Sequence, residues 1–211
     1  LPFSFLPLVR GRLVDRVELI TVPHIGVWQH LPPIVPSVRR VVAMGVDIGE
    51  DPLLGVAGLV DELNILRELA DVVQVKSSEE LRAQLDSPTD VLVLGVHGEV
   101  VGTENVLLLP DGERLSAIEL AGFRLPPVVV AAACWSGRLQ ASPAPFSLVP
   151  ACLLGGAQAV VVALWNGESM AMSRTLVDLY SRLAIGESVP NALRAAQRSV
   201  GGPSPLAVVA R

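Results

Sequence analysis

The sequence contains few of the residues that build metal centres, disulfide frameworks or nucleic-acid surfaces. Of 211 residues, two are cysteines, three are histidines and only 4% are aromatic. The two cysteines form no CxxC motif and the histidines no paired spacing, which excludes a disulfide framework and the common zinc motifs. The net charge is −5, without a dense lysine or arginine stripe, so nucleic acid is a poor candidate partner. The sequence therefore indicates neither a metal nor a cofactor.

Long apolar runs are also missing. No run approaches the roughly 18 residues that a membrane helix needs, although 51% of the residues are hydrophobic and the mean hydropathy is +0.52. We therefore expect no membrane partner, and we expect the apolar residues to form the buried strands of one substantial core. GxSxG and GxxxxGK[ST] are absent, which argues against a serine-hydrolase elbow and a nucleotide P-loop. Free thiols favour a cytoplasmic setting.

The first 37 residues differ from the rest of the chain. They are punctuated by proline, and residues 1–40 carry five arginines against two acidic residues. We predict that residues 1–37 form an N-terminal extension, or the seam with a missing upstream region, and that residues 38–211 form one domain. Because the chain begins with Leu1 rather than Met, we expect it to be a segment of a longer protein.

Continuous apolar strands alternate with helices through the predicted domain, which indicates an α/β fold with a mainly parallel sheet. Ser116 and Glu119 form a capping box at the start of one helix, and a PDG turn at 110–112 indicates a hairpin over 99–114. The predicted strands cover 16–22, 39–46, 72–75, 90–96, 128–133, 159–164 and 206–209. The predicted helices cover 53–70, 77–85, 116–121, 148–154, 166–183 and 188–200.

Two of the buried strands lead into residues with useful chemistry. Residues 90–99 (DVLVLGVHGE) deliver His97, and residues 128–137 (VVVAAACWSG) deliver Cys134. Ligands collect at the carboxyl ends of parallel strands, and an imidazole there can take the proton of a thiol. We expect the backbone N–H groups of Gly98 and Cys134 to bind an oxyanion. The alternative for a strand-end cysteine or histidine is packing in the core, and that interpretation suits Cys152.

The sequence also resembles a known family. The segments LVLGVHGE, LLLPDGERLSAIEL, VVVAAACWSG, LLGGAQAVVVALWNGES and LYSRLAIGESVPNALRAAQRSV follow one another as in CHAT domains. These are caspase- and separase-like cysteine peptidase domains of clan CD, often attached to TPR repeats. The resemblance covers roughly residues 41–211. It implies a caspase-like three-layer α/β sandwich, with His97 as general base and acid, Cys134 as nucleophile, and a thioester intermediate in peptide-bond cleavage.

The resemblance further implies a substrate pocket. In caspase-like folds, the residue before the scissile bond is held by loops after the first strand and after the strand that ends here at Trp165. In this sequence those loops carry Asp47, Glu50, Asp51, Trp165, Asn166 and Glu168. An acidic pocket favours arginine or lysine in the substrate. The alternative is that Glu50 and Asp51 are solvated turn residues and that Glu168 serves a helix N-terminus. Trp135 departs from the family pattern and stands where it would reshape or close the pocket.

Three functions follow from these observations. The first is a cysteine endopeptidase that cleaves a partner protein or peptide and is regulated by an upstream TPR-like region. The second is a catalytically silent interaction module with the same fold, in which Cys134 is unreactive and Trp135 plugs the pocket. The third is a thiol hydrolase of small esters or amides, whose activity would not depend on peptide length.

Overall fold

Stretches of consecutive valine, leucine and alanine form the strands of the central sheet, because strands covered on both faces by helices can be apolar throughout. The structure is a computed structural model that describes residues 36, 38–101, 104–131, 147–164, 169–201 and 205–210. Its strands are β1 Arg40–Gly45, β2 Asp71–Val75, β3 Val91–Gly95, β4 His97–Val101, β5 Glu104–Leu108, β6 Arg114–Ser116, β7 Val128–Ala131, β8 Ala159–Ala163 and β9 Leu206–Ala210. Its helices are α1 Leu59–Leu69, α2 Ser78–Leu85, α3 Ala117–Ala121, α4 Leu148–Leu154, α5 Ser169–Ala184 and α6 Val189–Val200.

The central sheet has six strands in the order β2-β1-β3-β7-β8-β9. The first five strands are parallel to one another, and β9 runs antiparallel to β8. Strands β1, β7 and β8 are buried almost along their whole length. The prediction of a mainly parallel α/β sheet is therefore confirmed.

The two faces of this sheet are covered by different helices. Side chains alternate along each strand, so Val41 and Val93 pack in the core with α1, α5 and α6. Their neighbours Val42 and Leu92 pack in a second core with α2, α3 and α4. Helices on both faces of one sheet make the three-layer sandwich that the sequence resemblance implies.

A separate antiparallel sheet of three strands, β4-β5-β6, follows β3. Its last turn is the predicted PDG turn, where Gly112 has a φ of 86°. The predicted hairpin is thus part of a larger sheet, in which His97 opens the first strand opposite Leu108. Strand β6 leads into α3, whose capping box joins Ser116 and Glu119 in both directions, as predicted.

Helix α1 begins later than predicted, at Leu59 rather than at residue 53. The Asp51 carboxylate accepts hydrogen bonds from the backbone N–H groups of Leu53 and Leu54, which holds a turn there instead of a helix. A parallel bridge between Asp47 and Val56 then extends β1 beyond its end. We call residues 46–58, between β1 and α1, the β1–α1 loop.

Several predictions lie outside the described residues. The strand predicted over 16–22 is one of them, and the division of the chain at residue 37 stays a prediction. None of the helices in the described parts of the chain has the length and apolar character to cross a bilayer.

Candidate active site

The strands that lead to His97 and Cys134 are neighbours in the sheet. Strand β3 pairs with β7 in parallel, with Val93 opposite Val130. His97 follows the end of β3 by two residues. Cys134 and Trp135 lie outside the described residues, three and four positions beyond Ala131, the last residue of β7. Because adjacent strands are about 4.8 Å apart, both chain segments leave the sheet at the same edge.

The half-buried His97 ring is held by a backbone carbonyl. Its Nε2 atom lies 3.1 Å from the carbonyl oxygen of Gly55. A carbonyl oxygen can only accept, so Nε2 carries the hydrogen in this contact. In the neutral ring, Nδ1 is then the nitrogen without a proton and the one that can accept a proton. Next along β4, Gly98 stands opposite Leu107.

Gly55 belongs to the β1–α1 loop and is itself enclosed by backbone. Its N–H donates to the Asp51 carbonyl at 2.8 Å, and the N–H of Val56 donates to the carbonyl of Val46 at 2.9 Å. A Cβ atom at Gly55 would lie 2.4 Å from the carbonyl oxygens of Asp47 and Asp51. The loop therefore needs glycine at the position that binds His97. Sequence reasoning missed Gly55, because the contact uses a carbonyl that every residue has.

The acidic residues predicted for the substrate pocket are engaged in local contacts. The Asp47 carboxylate accepts from the N–H of Gly49 at 2.8 Å and from that of Val60, in the first turn of α1, at 3.1 Å. The backbone N–H groups of Leu54 and Leu53, both bonded to Asp51, hold the pKa of its carboxyl below the usual value. The Glu50 Oε2 atom lies 3.8 Å from Lys76 Nζ, and both side chains are more than half exposed. These contacts suit the turn interpretation, and a substrate role stays a prediction.

The other predicted pocket residues, Trp165, Asn166 and Glu168, fall between β8 and α5, outside the described residues. Helix α5 begins at Ser169, directly after them. The second cysteine, Cys152, is fully buried in α4. Burial raises the pKa of its thiol to about 12, so it remains protonated and unreactive.

A buried polar cluster beneath the β1–α1 loop was not predicted. Glu62 of α1 is 6% exposed and accepts a hydrogen bond from the Tyr180 hydroxyl of α5 at 3.2 Å. Desolvation, the largest cause, raises the pKa of Glu62 to about 8. The sequence does hold a signal, because Glu62 lies three residues after Leu59 and four before Leu66, on the apolar face of the helix.

The central sheet, its two helical layers and the histidine at its carboxyl edge define a caspase-like cysteine-peptidase fold. The model of the CHAT domain family matches residues 13–205, and the chain belongs to that family. A search of curated proteins finds no match.

Solved structures share this fold. The chain is similar to the separase of the Saccharomyces cerevisiae separase–securin complex, with a TM-score of 0.63 and 13% identity, over 94% of this chain and 14% of that one. It is similar to gingipain R (RgpB) of Porphyromonas gingivalis, an Arg-specific cysteine proteinase, with a TM-score of 0.53 and 10% identity, over 82% of this chain and 46% of that one. It is also similar to the Drosophila initiator caspase Dronc, with a TM-score of 0.51 and 13% identity, over 97% of this chain and 92% of that one. At these identities the likeness concerns the fold.

Proposed function

We propose that this CHAT domain is a cysteine endopeptidase that uses a His97–Cys134 dyad to cleave a partner protein. The observation that carries the proposal is the hydrogen bond from His97 Nε2 to the Gly55 carbonyl. With Nε2 bonded there, Nδ1 is the basic atom of the ring, and the strand that leads to Cys134 is the neighbour of β3 in the sheet. The caspase-like fold and the family membership support the same activity.

The proposed reaction begins with transfer of the Cys134 proton to His97 Nδ1. The thiolate attacks the scissile carbonyl carbon, and the oxyanion is bound by the N–H groups of Gly98 and Cys134. The imidazolium then gives its proton to the leaving amine, which leaves a thioester on Cys134. Water, deprotonated by His97, hydrolyses the thioester and restores the thiol. The Gly55 carbonyl, the negative end of a backbone dipole, faces the ring and stabilises the transient imidazolium.

Reactivity of the two cysteines tests the dyad without knowledge of the substrate. Iodoacetamide alkylation, followed by mass spectrometry as a function of pH, is compared in the parent protein and in His97→Ala. We expect Cys134 to react well below the ordinary thiol pKa of about 8.5 and to lose that advantage in His97→Ala. Buried Cys152 is the internal control and stays unreactive in both folded proteins. If Cys134 is as unreactive as Cys152, also when the upstream region is supplied, the silent interaction module is the better description.

We further propose that the substrate carries arginine or lysine before the scissile bond. Asp47, Glu50 and Asp51 place negative charge in the loop that holds His97, and gingipain R, one of the similar structures, is Arg-specific. Peptides that differ only in Arg, Lys or Asp at this position are compared by kcat/KM. We expect a preference of up to about fivefold for the basic peptides, since charge pairs with exposed carboxylates contribute up to about 1 kcal/mol.

A matched pair of variants locates that preference. Glu50→Gln removes a charge from the β1–α1 loop, whereas Asp86→Asn removes one from the end of α2, which precedes β3 and so lies at the opposite edge of the sheet. We expect only Glu50→Gln to reduce the preference for basic peptides. A preference for Asp would contradict the acidic-pocket hypothesis.

Regulation by an upstream TPR-like region also belongs to the proposal. Its support is the family resemblance, together with the fact that the similar separase was solved in complex with securin.

A further inference from the structure

Three buried side chains connect α1 and α5 beneath the β1–α1 loop. Glu62, Ser173 and Tyr180 are 6%, 3% and 1% exposed, and we call this group the α1–α5 brace. The Ser173 hydroxyl donates to the carbonyl oxygen of Gly58 at 2.8 Å. The same carbonyl accepts from the backbone N–H of Glu62 at 3.3 Å, and the Glu62 carboxyl accepts from Tyr180.

The available hydrogens fix the direction of these bonds. Because the Gly58 carbonyl only accepts, the Ser173 hydrogen is used there, and the Tyr180 hydrogen is used on Glu62. Burial favours the neutral form of the Glu62 carboxyl, since it raises its pKa to about 8. In that form the carboxyl still accepts from Tyr180.

Gly58 is packed directly on Ser173. It adopts a φ of 86°, and a Cβ atom there would lie 2.7 Å from both Cβ and Oγ of Ser173. Gly58 is the N-cap of α1 but has no side chain to cap the helix. The contact from α5 therefore adds to the bond between the Asp47 carboxylate and the Val60 N–H in holding this end of the β1–α1 loop.

The held end lies close to the His97 contact. Only Val56 and Ala57 separate Gly58 from Gly55, and the Val56 N–H donates to the carbonyl of Val46, the residue after β1. The brace also borders a cavity of about 20 Å³, whose wall includes Gly95 and Val96, the residues just before His97. Glu62 and Tyr180 thus line the same cavity as the residues just before His97, and Ser173 binds the loop that contains Gly55.

We propose that Ser173 is a positioning residue for His97. Ser173, supported by Glu62 and Tyr180, fixes Gly58 and through Gly58 the Gly55 carbonyl. The catalytic consequence rests on the proposed function, whereas the effect on the imidazole ring does not. Loss of the Ser173 hydroxyl removes one donor from the Gly58 carbonyl, which keeps the weaker bond from the Glu62 N–H. We expect Gly55 to shift and the preference of His97 for the form protonated at Nε2 to weaken.

The experiment compares Ser173→Ala with Ser181→Ala in the whole chain. Both serines lie on α5, but the Ser181 hydroxyl donates to the backbone carbonyl of Val177, in its own helix, at 3.0 Å. Nitrogen-15 NMR of histidine-labelled protein reports which ring nitrogen carries the proton, and the His97 signals are assigned by their loss in His97→Ala. We expect the parent and Ser181→Ala to favour Nε2–H, and Ser173→Ala to lose most of that preference.

Cys134 alkylation at pH 7 provides the catalytic readout. We expect the rate to fall about three- to tenfold in Ser173→Ala, because small displacements of catalytic groups are costly, and to stay unchanged in Ser181→Ala. Glu62→Gln keeps both a donor and an acceptor in the brace and is expected to retain the parent spectrum. Tyr180→Phe removes one hydroxyl with little change of volume and serves as the second variant if Ser173→Ala does not fold. We expect Tyr180→Phe to show the same loss of the Nε2–H form of His97.

The outcomes separate the two proposals. The positioning role is overturned if Ser173→Ala and Ser181→Ala give the same His97 spectrum. If Ser173→Ala does not fold, the role is overturned by a Tyr180→Phe protein with the parent spectrum. Both conclusions hold whether or not Cys134 reacts. If Ser173→Ala alters the spectrum while Cys134 is insensitive to His97, the positioning role stands and the proposed dyad fails.

Discussion

The two faces of the central sheet are built in different ways. The face covered by α1, α5 and α6 contains every buried side chain of polar or charged type found in the described parts of the chain, namely Glu62, Ser173, Thr175 and Gln197. The face covered by α2, α3 and α4 is apolar in its buried residues, with Cys152 among them. One face therefore combines apolar packing with directional bonds, and the other relies on packing.

This difference tells us where position is specified. A buried polar group must find a partner, and its hydrogen bond fixes one geometry. Ser173 holds the β1–α1 loop, and Gln197 donates to the carbonyl of Leu206 at 2.8 Å, which attaches the edge strand β9. Apolar contacts are non-directional and tolerate small shifts. The polar face thus positions the segments around the candidate site, while the apolar face contributes mainly buried area.

The largest expected effect concerns the charge of Glu62. Its pKa is about 8 in the folded protein against an ordinary value of 4.5, with Tyr180 and Asp61 as its titratable neighbours. The folded state therefore binds this proton more tightly, and its stabilising contribution, complete below pH 4.5, is lost as the pH rises to 8. We expect the free energy of unfolding to fall by a few kcal/mol through this range, at about 1.4 kcal/mol per pKa unit, and Glu62→Gln to remove that slope.

Urea denaturation between pH 4.5 and 9 measures this effect. Glu68→Gln is the matched control, because Glu68 lies on the same helix but is exposed. The stabilities of Glu62→Gln and Glu68→Gln should differ increasingly from pH 4.5 to 8, with Glu62→Gln the more stable at pH 9. Parallel curves for both variants would contradict the burial of a neutral acid on this face.

The sequence predicted most strands and helix boundaries because their causes are local. Strands buried on both faces are continuous apolar runs, and Ser77 and Ser116 start helices through caps within three residues. The start of α1 was missed because the Asp51 turn competes with the helix. The second sheet was only partly predicted, because β4 is neither apolar nor alternating and depends on its pairing with β5.

The site was predictable only in part, for a similar reason. His97 stands out because a buried strand leads to it. The Gly55 carbonyl has no distinctive residue type, and the bond between Tyr180 and Glu62 joins residues 118 positions apart. Contacts of that kind arise from the packing of α1 on α5, and the periodicity of either helix alone does not reveal the partner.

A smaller effect is expected from placing a hydroxyl on the apolar face. Val129 of β7 is fully buried there, and Val129→Thr changes its shape very little. Among the described residues, no buried polar side chain lies in this core. We therefore expect a loss of about 1–3 kcal/mol, the cost of a buried group without a hydrogen bond. Chemical denaturation measures the loss. A Val129→Thr protein as stable as the parent would show that the apolar face accommodates polar groups as the other face does.

The reverse exchange on the polar face should have the smallest effect. Thr175 of α5 is 1% exposed, and its hydroxyl donates to the Ala171 carbonyl of its own helix at 2.9 Å. Thr175→Val removes this donor, but it leaves no buried polar side-chain atom behind, so we expect a change below about 1 kcal/mol. A loss in Thr175→Val as large as in Val129→Thr would mean that the hydroxyls of α5 stabilise the core as a group. Ser173 would then owe its importance to that group and not to its own contact with Gly58.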